Sequence, residues 1–157
     1  NPQETVQQNI SGNLNILLAC KKNKVKKFIY ASSVYADSEE GGFYKSSKLA
    51  SESYIKEFSK LNNLSYIILR FGSIYGPRSD KKNGIYNILL QIIKKQKLTY
   101  FGNPETLREY IHVVDAARAT YEVVKKNYKN KIITLTGKMP IKMKDLLILI
   151  GEIMNSL

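Results

Sequence analysis

Tyr44 and Lys48 are the residues whose types and spacing point most directly to chemistry. They open and close the run Tyr44-Lys45-Ser46-Ser47-Lys48, and a helix places residues four apart on one face. A lysine ammonium beside a phenol favours the phenolate, whose proton is otherwise held to about pH 10. A phenol tuned in this way exchanges a proton with a substrate hydroxyl at neutral pH. Eleven residues before Tyr44 stands Ser33, preceded by Ser32, and a serine hydroxyl reaching the same oxygen would orient it. Such a set suits oxidation of an alcohol, with proton removal alongside hydride transfer. The same tyrosine-lysine spacing also suits a solvated helix face, and the two serines also suit a cap after a strand.

The elements that must hold these residues alternate along the chain. Val6, Ile10, Leu14, Leu17 and Leu18 recur at helical spacing, the stripe of a helix packed on one side. Residues 27–31 read as a short strand ending at Ser32-Ser33, and a helix over 44–61 follows, closed by Asn62 and Asn63. Tyr66-Ile67-Ile68-Leu69 is a continuous apolar run, as expected of a strand covered on both faces. Beyond a loop with Gly72, Gly76 and Pro77 come a helix over 85–95, strands over 98–101 and 110–113, a turn at Gly102-Asn103-Pro104, a helix over 115–126, a strand over 132–135 and a helix over 144–154. Strands alternating with helices predict an α/β fold, a parallel sheet with helices on both faces. In such sheets ligands bind at the carboxyl ends of the strands, where Ser32 and Ser33 stand. His112 reads as an interior strand residue.

Composition narrows the classes. The 157 residues are 43% hydrophobic and 24% charged, enough for one packed domain. No apolar run approaches the roughly 20 residues that cross a bilayer, so no membrane partner is expected. With one cysteine, Cys20, and one histidine, neither an internal disulfide nor a four-ligand zinc site is available. Cys20 falls in the first helical pattern as a small core residue. A reducing, cytoplasmic setting is expected. The net charge is +12, but only four of the 25 basic residues are arginine. The lysines cluster over 21–27, 94–97 and 125–131 after apolar helical patterns, where cations answer the negative end of a helix dipole. No nucleic acid partner is expected, and a phosphorylated small molecule suits the charge as well.

Taken in order, several stretches resemble one family. Phe28-Ile29-Tyr30-Ala31-Ser32-Ser33 with Tyr44-Lys45-Ser46-Ser47-Lys48-Leu49-Ala50-Ser51-Glu52 is similar to the active-site region of extended short-chain dehydrogenases/reductases, the NAD-dependent epimerase/dehydratase family acting on nucleotide sugars. Residues 9–17 resemble its Asn-Val-x-Gly-Thr-x-Asn-Leu-Leu helix, residues 70–78 its Arg-x-x-Asn-Val-Tyr-Gly-Pro loop, and residues 108–119 its Arg-Asp-Phe-Ile-x-Val-x-Asp-Val-Ala-Arg-Ala segment.

The resemblance implies a Rossmann-like sheet truncated at its amino end, plus part of a small carboxyl-terminal substrate lobe. Residues 1–77 would continue the dinucleotide-binding domain, and residues 78–157 would mainly build the lobe, interleaved with the sheet. Tyr44 would be the catalytic acid/base. Lys48 would bond the nicotinamide ribose and tune Tyr44, and Ser33 would bond the reacting oxygen, with Ser32 as the fallback beside the cofactor. Asn9 would be a structural, cofactor-side residue, and Arg108, helped by Arg78, would contact a nucleotide-sugar phosphate. The cofactor would be NAD or NADP, the substrate a nucleotide sugar, and the assembly a homodimer.

Departures from the family sharpen the expectation. No glycine-rich dinucleotide loop is present, and the chain opens at Asn1 in a helical pattern, which predicts a fragment of a longer enzyme, inactive alone. Val34-Tyr35 stand where the family's sugar 4,6-dehydratases carry Asp-Glu. An epimerase is therefore expected, with a single-step reductase or dehydrogenase, or a non-catalytic dinucleotide-binding relative, as alternatives.

Overall fold

A computed structural model of the chain describes residues 1–94 and 98–155. The strand β2 (Ser65–Phe71) is the middle of a three-stranded parallel sheet, ordered β1-β2-β6, with β1 at Lys27–Ser33 and β6 at Lys131–Leu135. Its β-branched, apolar sequence fits a strand covered on both faces. Side chains alternate accordingly. Ile68 packs with Leu17, Cys20, Ile55 and Leu64 on one side. Ile67 and Leu69 pack with Val123, and with Ile29, Ile133 and Leu135, on the other. The first side is covered by α2 (Gly12–Lys22) and α3 (Gly42–Asn62), the second by α5 (Val113–Lys125). This is the α/β architecture expected, a parallel sheet with helices on both faces.

The first helical stripe is out of phase with the sequence expectation. After α1 (Pro2–Thr5) the chain makes a π-helical turn over Val6–Ser11 before α2. A π turn holds an extra residue and rotates everything beyond it. Asn13, Leu17 and Cys20 therefore face inward, while Val6 and Leu18 are half exposed. Cys20 is buried, as a small core residue should be. α3 starts at Gly41, whose φ of +111° suits glycine alone, and stops at Asn63 in the left-handed region, where the sequence places its closure.

Two compact units result: Asn1–Phe71 with Ala119–Leu135, and Gly72–Arg118 with Thr136–Leu157. The second contains a parallel pair, β3 (Ser73–Tyr75) with β5 (Tyr110–His112), and an antiparallel pair, β4 (Leu107–Arg108) with β7 (Ile141–Lys142). Its core joins Ile88 of α4 (Gly84–Ile93) to Met143, Leu146 and Ile150 of α6 (Met143–Asn155). His112 is half-buried, edge-on to Tyr75 at 5.3 Å. Residues 98–101 are not the strand expected. The Thr99 amide donates to the Gln91 side chain at 2.9 Å, so a donor that a ladder needs is spent on a helix side chain, and Leu98 and Tyr100 pack into the core instead. The expected end of α4 at Lys95, and most of the lysine cluster over 94–97, lie outside the described residues. Among the described residues no helix is long and apolar enough to cross a membrane.

Candidate active site

Tyr44, Lys48 and Glu52 follow one another at four-residue steps on α3, beside the carboxyl end of β1. Lys48 bridges the two elements. Its Nζ donates to the Ala31 carbonyl at 2.9 Å and sits 4.9 Å from the centre of the Tyr30 ring and 5.7 Å from that of Tyr44. Both rings offer their faces to the ammonium. Burial pushes the Lys48 amine below the usual lysine range, with the Glu52 charge working against that shift. Tyr44 is 45% exposed, its ring meets Tyr35 edge-on at 6.4 Å, and its hydroxyl makes no hydrogen bond among the described residues.

Ser33 ends β1 and caps the 3₁₀ turn Val34–Asp37, its Oγ accepting from the Tyr35 amide at 3.2 Å. The oxygen is thus held by the backbone, and neither Ser33 nor Ser32 hydrogen-bonds Tyr44. The Ser32 hydroxyl donates instead to Glu52 Oε1 at 2.6 Å. Asn9 lies in the π turn and donates from Nδ2 to Ser47 Oγ at 2.9 Å, while its carbonyl accepts from Ser51 Oγ at 2.7 Å. These two bonds stitch the π turn to α3 just behind Tyr44 and Lys48.

Three participants have no role in the sequence reading. Glu52 is 1% exposed, and Arg70 clamps it from β2, Nε to Oε1 at 3.0 Å and Nη2 to Oε2 at 2.8 Å. This contact with Glu52 holds the Arg70 guanidinium above its ordinary pKa. Tyr30 is the third. Its hydroxyl is buried with no hydrogen-bond partner among the described residues, since the nearby Ser51 commits its proton to Asn9, and burial raises the phenol's pKa. For Glu52 the signal was its place one turn beyond Lys48. For Arg70 it was a charge inside a buried apolar run.

Arg78 and Arg108 belong to the second unit. Arg78 is exposed, with φ +68° after Gly76, whose own φ is +135°. Arg108 is half-buried in β4, opposite Ile141. The same unit holds a cavity of about 570 Å³ lined by Asn87, Gln91, Tyr100, Phe101, Tyr110 and Met143, a mixture of amides and rings.

Residues 1–135 match the NAD dependent epimerase/dehydratase family, and the chain belongs to that family. The putative UDP-glucose 4-epimerase of Methanocaldococcus jannaschii is 31% identical over 156 residues, covering 88% of this chain and 50% of that protein. The UDP-glucuronic acid 4-epimerase of Bacillus cereus, solved in complex with NAD, matches with a TM-score of 0.86 at 26% identity, over 96% of this chain and 54% of that one. The UDP-glucose 4-epimerase of Thermotoga maritima, solved with UDP-glucose, matches with a TM-score of 0.88 at 25% identity, over 99% and 56%. The chain spans about half the length of the curated relatives it matches.

Proposed function

We propose that this chain is the carboxyl-terminal part of an NAD(P)-dependent nucleotide-sugar epimerase in which Tyr44 exchanges the proton. The observation that carries the reading is the division of labour on α3. Lys48 is tethered to Ala31 at the end of β1, while Tyr44, one turn earlier, stays half exposed with its hydroxyl unspent. The strand end is where a parallel sheet receives a dinucleotide. Lys48 fits that role, because two of its three ammonium protons remain for ribose hydroxyls after Ala31 is served. Asn9 and Ser32, whose donors are engaged by Ser47 and Glu52, support the cofactor side by fixing α3 and β1.

The chemistry supplied by a bound nicotinamide is reversible hydride acceptance. Tyr44 takes the proton of the sugar hydroxyl as that carbon is oxidised, and returns it when the other face is reduced. Ser33, its oxygen held by the Tyr35 amide, has its hydroxyl proton left to donate to the same sugar oxygen. We assign the first unit to the cofactor sheet and the second to the substrate lobe, with Arg108 and Arg78 for the diphosphate, a task suited to guanidinium forks. NAD accompanies solved relatives, and UDP sugars are the substrates to try first.

The test is Tyr44→Phe in the complete enzyme. Loss of the proton carrier should lower turnover by about 10²–10⁴-fold, with NAD binding retained. Lys48→Met should weaken cofactor binding as well. Unchanged turnover in the Tyr44 variant would refute the assignment.

A further inference from the structure

We infer that Glu52 and Arg70 are positioning residues for the Tyr44–Lys48 face, with Arg70 occupying a buried carboxylate that would otherwise capture Lys48. The inference rests on the reading of that face as catalytic, but its geometry stands apart from it. Lys48 and Glu52 are one turn apart on α3, a spacing at which lysine and glutamate ordinarily pair. Here they do not. Glu52 Oε1 already accepts from Ser32 and from Arg70 Nε, and Oε2 accepts from Arg70 Nη2. Lys48 turns the other way, to the Ala31 carbonyl and the faces of Tyr30 and Tyr44.

A carboxylate 1% exposed cannot stay ionised without such partners. The Arg70 fork supplies them from a strand, with its guanidinium only 12% exposed. Its remaining Nη1 reaches Asp37 at 3.1 Å, at the end of the turn that Ser33 caps. One side chain of β2 therefore ties together α3 and the turn after β1. The charged and titratable groups facing Lys48 are Glu52 and Tyr44 from α3 and Tyr30 from β1. Take Arg70 away, and Glu52 becomes the strongest attraction in reach of Lys48.

The position of Lys48 is readable by nuclear magnetic resonance, because an amine over two aromatic rings carries upfield-shifted Cε protons. In Arg70→Met that ring-current shift should be lost as Lys48 swings to Glu52. In Arg70→Met combined with Glu52→Gln it should return, since no carboxylate remains to draw Lys48 away. A folded Arg70→Met protein that keeps the full shift would overturn the inference, as would a double variant that folds and does not regain it. If neither variant folds, the wild-type chain decides. The Arg70 Nε proton, locked on a buried carboxylate, should exchange far more slowly than those of Arg78, and equal exchange would overturn the inference. If Lys48 moves as expected while Tyr44→Phe retains full turnover, the positioning pair stands and the catalytic reading falls.

Discussion

At the scale of single residues, the site is defined by which polar groups are spent and which are not. Lys48 uses one proton on Ala31 and lays its ammonium over two rings, whereas the Tyr44 hydroxyl is left open. Tyr30 supplies one of those rings at the expense of a buried, unpartnered hydroxyl. An unsatisfied buried hydroxyl costs on the order of 1–3 kcal/mol. Tyr30→Phe keeps the ring and removes that cost, so urea unfolding should show equal or higher stability, by up to about 1 kcal/mol. A loss of that size would mean the hydroxyl is hydrogen-bonded after all, with Ser51 as the partner. The pairing of Tyr44 with Lys48 was legible because helical spacing dictates it. The engagement of Ser32 with Glu52 was not, because the two are twenty residues apart with no periodicity linking them.

At the scale of elements, α3 is the part on which the site depends, and its first residue sets its direction. Gly41 caps the helix at φ +111°, and a Cβ there would lie 3.0 Å from Lys45 Cβ and 3.3 Å from the Tyr35 ring. Gly41→Ala should cost about 1–3 kcal/mol from the backbone conformation alone, read by thermal or urea unfolding, and a neutral substitution would contradict the capping role. In the second unit the turn over residues 103–106 is fastened to the start of α6. Glu105 bridges Lys144 at 2.7 Å and Lys142 at 2.9 Å, and the Met143 and Lys144 amides donate to Thr106 and Pro104. Lys144, and then Lys142, holds the Glu105 carboxyl below its ordinary value of 4.5. A depressed folded pKa gives stability that is complete above the ordinary value and lost as pH falls through the folded one. Between neutral pH and about pH 3, a carboxyl whose pKa spans that window titrates, so Glu105→Gln should lose less Tm on acidification than wild type. Equal losses would show that the bridges contribute nothing.

At the scale of the whole molecule, the parts that were legible are those set by local pattern. The apolar run 66–69 and its flanking helices announce a parallel sheet, and the ordered motifs announce the family that residues 1–135 match. Two features resisted reading, each because tertiary contacts overrode a local signal. The π turn rotates the first helix so that Asn13 is buried and Val6 is not. Leu98-Thr99-Tyr100-Phe101 has strand composition, but the Gln91 side chain takes its amide. The Arg70–Glu52 clamp crosses from strand to helix and belongs to neither pattern. The central claim, that Tyr44 moves a sugar proton out and back within an epimerase, is tested most directly by incubating the complete enzyme with a UDP sugar and NAD and following both the sugar and the nicotinamide. The account predicts that one sugar carbon inverts with no net accumulation of NADH. Accumulating NADH with a released keto sugar, or binding of both ligands without any turnover, would contradict it.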